Sequence, residues 1–152
     1  MIRLANERDY NKIRQLIDQI HSIHVINRPD IYREDNIFTE ELFNKLLRDP
    51  LTFVTVYDED GIKGTCCMTV QSIENKEGMV SRKRGWIEDI CVDEKYRNQG
   101  IGYKLFNDMK ERAIKEGAEA VELMVWSFNH TAIEFYEKAG MSTRSRIMEI
   151  KL

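Results

Sequence analysis

The segment Arg-Asn-Gln-Gly-Ile-Gly at positions 97–102 is the first part of the sequence that suggests chemistry, because it lies between a predicted strand and a predicted helix. Glycine lets a backbone approach a ligand closely, and the N-terminus of a helix carries a partial positive charge that favours an anion. The side chain of Arg97 would add a full positive charge. The segment therefore predicts an anion-binding turn, with a plain turn into a helix as the alternative.

Two common phosphate-binding patterns do not fit this segment. A P-loop requires Lys and then Ser or Thr after its last glycine, whereas Tyr103 and Lys104 follow here. The dinucleotide fingerprint requires a third glycine at the position that Leu105 occupies. The pattern that remains is R-x-x-G-x-G, in which Asn98 tolerates a left-handed backbone better than most residues would.

A second group of residues follows in the segment Ser-Phe-Asn-His-Thr-Ala-Ile-Glu-Phe-Tyr-Glu-Lys-Ala-Gly at positions 127–140. Asn129 is suited to cap a helix, and Gly140 is suited to end it. Phe135 and Tyr136 at helical spacing usually pack in a core. For Tyr136, packing in the core is therefore the alternative to a role in the chemistry.

The elements that must position these groups are predicted from the periodicity of apolar residues. Residues 84–92 and 120–126 read as strands, residues 100–116 and 130–139 as helices, and residues 143–152 as a last strand. A strand–helix–strand unit of this length implies a parallel strand pair with a right-handed crossover.

The first half of the chain has a different character. Residues 1–5 predict a strand, residues 8–24 an amphipathic helix, and Thr39 the cap of a second helix. Two β-rich runs around Asp60-Gly61 predict an antiparallel hairpin, and residues 74–83 a loop. The fold class is therefore α/β with a mixed sheet, antiparallel in its N-terminal part.

Composition limits the classes of function. The 152 residues suit one domain over positions 1–152, and a net charge of −3 disfavours a nucleic-acid-binding protein, which normally has a basic face. The three cysteines, Cys66, Cys67 and Cys91, lack metal or redox spacing and predict reduced core residues. No apolar run could span a membrane, so we expect a cytoplasmic protein without nucleic-acid or membrane partners.

The order strand, R-x-x-G-x-G, helix, strand, N-x-x-A-x-x-F-Y-x-x-x-G over residues 84–141 resembles the GNAT superfamily of acetyl-CoA-dependent N-acetyltransferases. The resemblance implies an acyl-CoA N-acyltransferase fold with splayed central strands, and acetyl-CoA as the co-substrate without a metal. By family position, the coenzyme A contacts come from the turn, the preceding strand edge and the last helix: Ile90, Cys91, Val92, Arg97, Asn98, Gln99, Gly100, Ile101, Gly102, Tyr103 and Asn129.

The reaction that the resemblance implies is direct attack of an amine on the thioester. Tyr136 matches the tyrosine that acts as general acid in the family. Glu88 is the candidate base, with a role as an ion-pair partner as its alternative. Asp89 is interpreted first as a structural residue, with binding of a cationic substrate as its alternative. Tyr32, His24 and Trp126 are candidate lining residues of the acceptor site, with a surface position as the alternative for His24 and a core position as the alternative for Trp126.

The acceptor cannot be read from these residues. A small amine, of the polyamine or aminoglycoside kind, is slightly preferred over a protein or peptide amine. The alternative to an enzyme is a non-catalytic regulatory module that binds acyl-CoA. The resemblance also allows a homodimer.

Overall fold

The computed structural model describes residues 1–152 and contains one mixed sheet of five strands with helices on both faces. The elements in chain order are β1 Ile2–Leu4, α1 Tyr10–Asn27, α2 Glu40–Arg48, β2 Thr52–Asp58, β3 Ile62–Ile73, β4 Arg82–Val92, α3 Ile101–Lys115, β5 Ala120–Glu122 and α4 His130–Lys138. The strands lie in the order β1-β2-β3-β4-β5, the first four antiparallel and β5 parallel to β4. The α/β class and the mixed sheet are thus confirmed.

The sheet separates two apolar cores. Helices α1 and α2 cover one face, where Val54, Val56 and Cys67 meet α1 residues such as Ile13. Helix α3 covers the other face, where Cys66 packs with Met68, Val70 and Leu105. Adjacent residues of a strand point to opposite faces, so Cys66 and Cys67 enter different cores. All three cysteines are free and buried, as predicted.

Local sequence signals set the element boundaries. Leu42 N–H donates to Thr39 Oγ1 at 3.1 Å, which caps α2. Asp60 and Gly61 have φ angles of 54° and 110° and turn β2 into β3. Gly117, at φ 78°, follows the end of α3. The cap at Thr39 and the hairpin turn at Asp60-Gly61 were predicted and are confirmed.

The predicted last strand over residues 143–152 is wrong. The tail after Met141 forms no helix or strand and makes no backbone–backbone hydrogen bond. It is held by ion pairs instead, among them Arg144 to Glu122 at 3.0 Å and Arg28 to Glu149 at 2.9 Å. A strand needs a neighbouring strand edge, and the tail lies beside none within its own chain. The strand predicted over residues 120–126 is also shorter and ends at Glu122.

Candidate active site

The turn between β4 and α3 carries a run of backbone N–H groups that have no backbone acceptor. None of the seven residues 97–103 donates a backbone hydrogen bond, and the first such bond of the helix runs from Lys104 to Gly100. Asn98 and Gly100 have left-handed φ angles of 60° and 76°, as expected for this turn. Successive free donors at the positive end of a helix form a site for an anion.

The two glycines of the turn are required for different reasons. A side chain at Gly100 would meet no atom within 4 Å, so this position faces open space and is glycine because of its φ angle. A Cβ at Gly102 would lie 3.3 Å from the ring of Phe135, so this position is glycine because α3 packs against α4. Only Gly100 therefore leaves room for a ligand.

The guanidinium of Arg97 lies at the carboxyl end of β4. Its Nε donates to the carbonyl oxygen of Val92 at 3.2 Å, and its terminal nitrogens have no protein partner. Asn98 and Gln99 are exposed beside it. The positive charge and the free N–H groups of the turn therefore lie together at the surface.

Strands β4 and β5 separate immediately before this turn. They pair only from Arg84 opposite Ala120 to Trp86 opposite Glu122. Beyond Trp86, residues 87–92 of β4 have no strand on that side. This edge contains Ile90, Cys91 and Val92, and it runs toward the turn. The expected splay of the central strands is thus present.

A β-bulge interrupts β4 within the unpaired part. Cys67 pairs with Asp89 and Met68 with Ile87, so Glu88 is an extra residue without an opposite partner. Ile87 and Ile90 consequently both pack on the α3 side, although they are three positions apart. Simple alternation along the strand did not predict this bulge. Its effect is to expose Glu88 while Asp89 stays half-buried.

The two carboxylates at the bulge therefore have different surroundings. Burial, and secondarily the charge of Glu88, raises the pKa of Asp89 to about 6 from its ordinary value of 3.8. Asp89 thus changes its charge just below neutral pH. No hydrogen bond or ion pair occupies its carboxylate. An unpaired carboxylate with such a pKa is suited to accept a proton at neutral pH.

Tyr136 lies on α4, beside the separated strands. Its ring packs against Phe106 and Phe135, at centroid distances of 6.5 and 5.2 Å. Its hydroxyl has no hydrogen-bond partner in the protein. Burial, with smaller contributions from Cys66, Cys91 and Asp89, raises the pKa of Tyr136 well above its ordinary value. The phenol therefore stays protonated at neutral pH.

Three predicted acceptor residues come together on the other side of the molecule from α3. Trp126 Nε1 donates to the hydroxyl of Tyr32 at 2.9 Å, and His24 stacks on Tyr32 at a centroid distance of 5.0 Å. Burial, and then the neighbouring His21, lowers the pKa of His24, which favours the neutral ring at physiological pH. The loop after α1 is thereby joined to the segment after β5.

Two members of this cluster were not predicted. The guanidinium of Arg28 lies 4.8 Å from the centre of the Trp126 ring, and Phe128 stacks on the same tryptophan at 6.0 Å. Both residues lie in irregular segments, where no periodicity assigns a face. The only available signal was their closeness in sequence to Tyr32 and Trp126. We define Tyr32, His24, Trp126, Phe128 and Arg28 as the aromatic cluster.

Asn129 has a structural task in the last helix. Its side-chain oxygen accepts a hydrogen bond from Ala132 N–H at 3.2 Å and so caps α4, as predicted. The amide nitrogen of Asn129 has no protein partner. It can therefore still donate to a ligand.

The side chains and helices of the protein exclude two kinds of site. No group of three or more His, Cys, Asp or Glu side chains is placed so that it could hold a metal ion. None of the helices has the length and apolar character needed to cross a membrane.

Comparisons with known proteins place the chain among acetyltransferases. The model of the acetyltransferase (GNAT) family matches residues 11–141. A variant of the BH1408 protein from Bacillus halodurans is 31% identical in sequence, and its crystal structure superposes with a TM-score of 0.97 over 100% of this chain and 99% of that one.

Two curated relatives match over shorter segments. The L-ornithine N5-acetyltransferase NATA1 of Arabidopsis thaliana is 36% identical over 66 residues, which are 43% of this chain and 29% of that protein. The thialysine N-epsilon-acetyltransferase of Bos taurus is 36% identical over 55 residues, which are 36% of this chain and 32% of that protein. The match thus spans about a third of the length of either relative.

Proposed function

The chain belongs to the acetyltransferase (GNAT) family, and on that premise we propose that it transfers the acetyl group of acetyl-CoA to the primary amine of a small molecule. The observation that carries this proposal is the set of seven successive N–H groups without acceptors at residues 97–103, beside the free end of Arg97. Such donors match the diphosphate of coenzyme A in charge and in number.

The separated strands support the same assignment. The unpaired edge of β4 at Ile90, Cys91 and Val92 offers backbone groups to an extended chain that carries amides. The pantetheine arm of coenzyme A is such a chain. The free amide nitrogen of Asn129 would donate to its far end. With the diphosphate at the turn, an arm lying along this edge would bring its thioester to the region that Tyr136 and the bulge are proposed to serve.

Within this proposal, acetyl-CoA supplies a thioester whose carbonyl carbon is attacked by the amine nitrogen. Asp89 accepts the proton that the amine loses, directly or through water. Its pKa of about 6 keeps it ionised, and so able to accept, at neutral pH. The exposed Glu88 is the alternative base, and in the present proposal it binds the incoming cation instead.

Two further groups complete the proton and charge balance. Val92 N–H would donate to the carbonyl oxygen, which gains negative charge as the bond to nitrogen forms. Tyr136 would donate its phenolic proton to the sulfur as the carbon–sulfur bond breaks. Its raised pKa supports this role, because it keeps the phenol protonated at neutral pH.

The aromatic cluster supports a small acceptor. The Tyr32–Trp126 hydrogen bond joins segments 94 residues apart into one aromatic surface. Aromatic faces attract a cation, so this surface suits an amine that arrives protonated. The two relatives whose names specify ornithine and thialysine act on small amines, which agrees with this choice.

Calorimetric titration with coenzyme A tests the cofactor assignment. Gly100→Trp should abolish binding, because the new side chain fills the open space at the turn. Gly78→Trp is the matched control, since Gly78 also has a positive φ, of 74°, and open surroundings, but lies in the loop between β3 and β4 and not in the turn. Pantetheine, which lacks the diphosphate, should bind much more weakly than coenzyme A to the wild type.

The same experiment can refute the assignment. Equal coenzyme A affinity in the wild type and in folded Gly100→Trp would place the cofactor elsewhere. Binding of coenzyme A without thiol release in the presence of acetyl-CoA and any amine would favour a non-catalytic acyl-CoA-binding module.

A further inference from the structure

Two residues of β4, Arg84 and Trp86, face away from α3. Gly85 and Ile87 alternate with them and lie on the α3 side. A Cβ at Gly85 would meet Ala113 of α3 at 3.1 Å, and Ile87 belongs to the core under α3. Because successive residues of a strand point to opposite faces, Arg84 and Trp86 point to the face that carries α1 and α2.

Asp89 returns to this same face because of the β-bulge. It pairs with Cys67, whose side chain belongs to the core under α1. Residues directly opposite each other in two paired strands have their side chains on one face. Trp86 and Asp89 therefore share a face and lie about 7–10 Å apart along β4, since the three residue steps between them include the bulge.

Trp86 is partly exposed between Arg84 and Asp89. It has a neighbouring strand on both sides, yet it is only half-buried and belongs to neither apolar core. The guanidinium of Arg84 lies 4.5 Å from the centre of its ring. An accessible aromatic surface thus has a cation at one end and the acids of the bulge at the other.

Three arginines surround one carboxylate beside this tryptophan. Glu122 lies opposite Trp86 in β5, and its side chain is only 12% exposed. It accepts hydrogen bonds from Arg82, from Arg84 at 2.6 Å and from Arg144 at 3.0 Å. We define Arg82, Arg84 and Arg144 as the arginine cluster.

The acids around the arginine cluster are fewer than its guanidinium groups. Hydrogen bonding to Glu122, and to a smaller extent the charge of Glu119, raises the pKa of Arg82. The other acceptor is Gln71, which is neutral and binds Arg84. The Nε and Nη2 atoms of Arg82 have no protein partner, although this side chain is only 21% exposed. Free guanidinium donors with surplus positive charge favour an anion, and carboxylate and phosphate match their geometry.

We propose that the arginine cluster binds an anionic group of the acceptor, so that the substrate is a small amine that also carries a carboxylate or a phosphate. This inference rests on the proposed function, in which Asp89 accepts the proton of the amine. The acceptor then lies over Trp86, with its amine at the bulge and its anionic group at Arg82. The aliphatic chain of a basic amino acid covers a comparable length. A polyamine would instead bring a second cation to the arginine cluster, which repels it.

Pairs of amines that differ only in the anionic group test this proposal. L-Lysine and cadaverine, like L-ornithine and putrescine, differ only in a carboxylate, whereas glucosamine 6-phosphate and glucosamine differ only in a phosphate. With acetyl-CoA and the wild type, kcat/KM should be at least ~10-fold higher for the anionic member, because a hydrogen bond between charged groups contributes that much. The pair that shows this preference distinguishes a carboxylate from a phosphate.

Arg82→Gln should reduce the ratio of kcat/KM between the two members of that pair by at least ~10-fold, chiefly through KM of the anionic amine. Arg82→Lys keeps the charge and should restore part of the ratio. Lys83→Gln is the matched control, because it removes a positive charge from the adjacent position, whose side chain points to the other face. A loss of stability alone would affect both members of a pair equally, so it would not change the ratio.

The outcomes separate this inference from the proposed function. Equal kcat/KM for both members of every pair, or a preference for the amines without an anion, would overturn the anionic acceptor while acetyl transfer stands. A preference that persists unchanged in Arg82→Gln would overturn the arginine cluster as its cause. The absence of any acetylated amine would contradict the proposed function and this inference together.

Discussion

Asp89→Asn should stabilise the protein at neutral pH. The native carboxylate has a raised pKa, so its ionisation is less favourable in the folded chain than in the unfolded one. A rise from 3.8 to about 6 corresponds to about 3 kcal/mol, at 1.36 kcal/mol for each pK unit. An amide at this position carries no charge and avoids that cost, although its own polarity will offset part of the gain.

The difference in free energy of unfolding between Asp89→Asn and the wild type should depend on pH in a defined direction. Below pH 3.8 the carboxyl is neutral in both states, and the wild type and variant should differ little. Between pH 3.8 and about 6 the wild type loses free energy of unfolding relative to Asp89→Asn. Above about pH 6 the difference should be constant, at up to about 3 kcal/mol.

Urea unfolding from pH 4 to 8 measures this difference. Glu88→Gln is the matched control at the neighbouring position. It removes only the secondary cause of the pKa shift and lies at the exposed side of the bulge, so its effect should be small. A stability difference for Asp89→Asn that does not grow with pH would show that Asp89 is not in a desolvated site.

The activity of the same variant tests the role of Asp89 as base. For the wild type, kcat/KM should fall as the pH decreases below about 6, because the carboxylate becomes protonated. Asp89→Asn should lose at least ~100-fold in turnover over the whole pH range, as general bases usually contribute that much. Undiminished turnover would assign the base to Glu88 or to water.

Three further substitutions test separate parts of the site. Tyr136→Phe should keep coenzyme A affinity and lose ~100-fold or more in turnover with any accepted amine; unchanged turnover would leave the phenol with a packing role only. Gly102→Val should lower the free energy of unfolding, measured with urea, by about 1–3 kcal/mol, because its Cβ would crowd the Phe135 ring at 3.3 Å. Equal stability of the variant and the wild type would contradict the packing of α3 on α4. Tyr32→Phe removes the partner of Trp126 Nε1 and should raise KM for the amine more than it lowers kcat, with coenzyme A affinity unaffected; a selective change in coenzyme A affinity would place the aromatic cluster at the cofactor instead.

The structural features that were predicted well from the sequence are those determined by residues close together in the chain. Asn98 and Gly100 have the left-handed angles that their residue types favour, and Asn129 caps its helix through a bond three residues away. Helices, hairpin and turn depend on neighbours within a few positions. Their order along the chain was then enough to indicate the mixed sheet, and the resemblance to the GNAT superfamily supplied the expectation of its splay.

No local pattern in the sequence indicated the β-bulge at Glu88. Whether Ile87 and Ile90 face the same side is decided by the pairing of β4 with β3, in which Asp89 lies opposite Cys67. That pairing is a long-range property. The sequence therefore identified the acidic pair but ranked Glu88 above Asp89 as the base, whereas the structure leaves Glu88 exposed and Asp89 half-buried.

The aromatic cluster and the tail depend on still more distant contacts. Arg28 and Phe128 join the cluster across about two thirds of the chain, from segments without periodicity. The tail has a clear strand pattern, but no strand lies beside it. The prediction of a strand failed because alternation of apolar and charged residues shows that a segment could form a strand. It does not show whether the edge of another strand lies beside that segment.

The central claim is acetyl transfer from acetyl-CoA to a small amine. Its most direct test is thiol release from acetyl-CoA with a panel of polyamines, diamino acids, aminoglycosides and peptides, with the mass of each amine measured afterwards. We predict release that requires both substrates and Tyr136, together with a singly acetylated small amine. Acetylated peptides with unmodified small amines would contradict the acceptor class, and the absence of any acetylated amine would contradict the function itself.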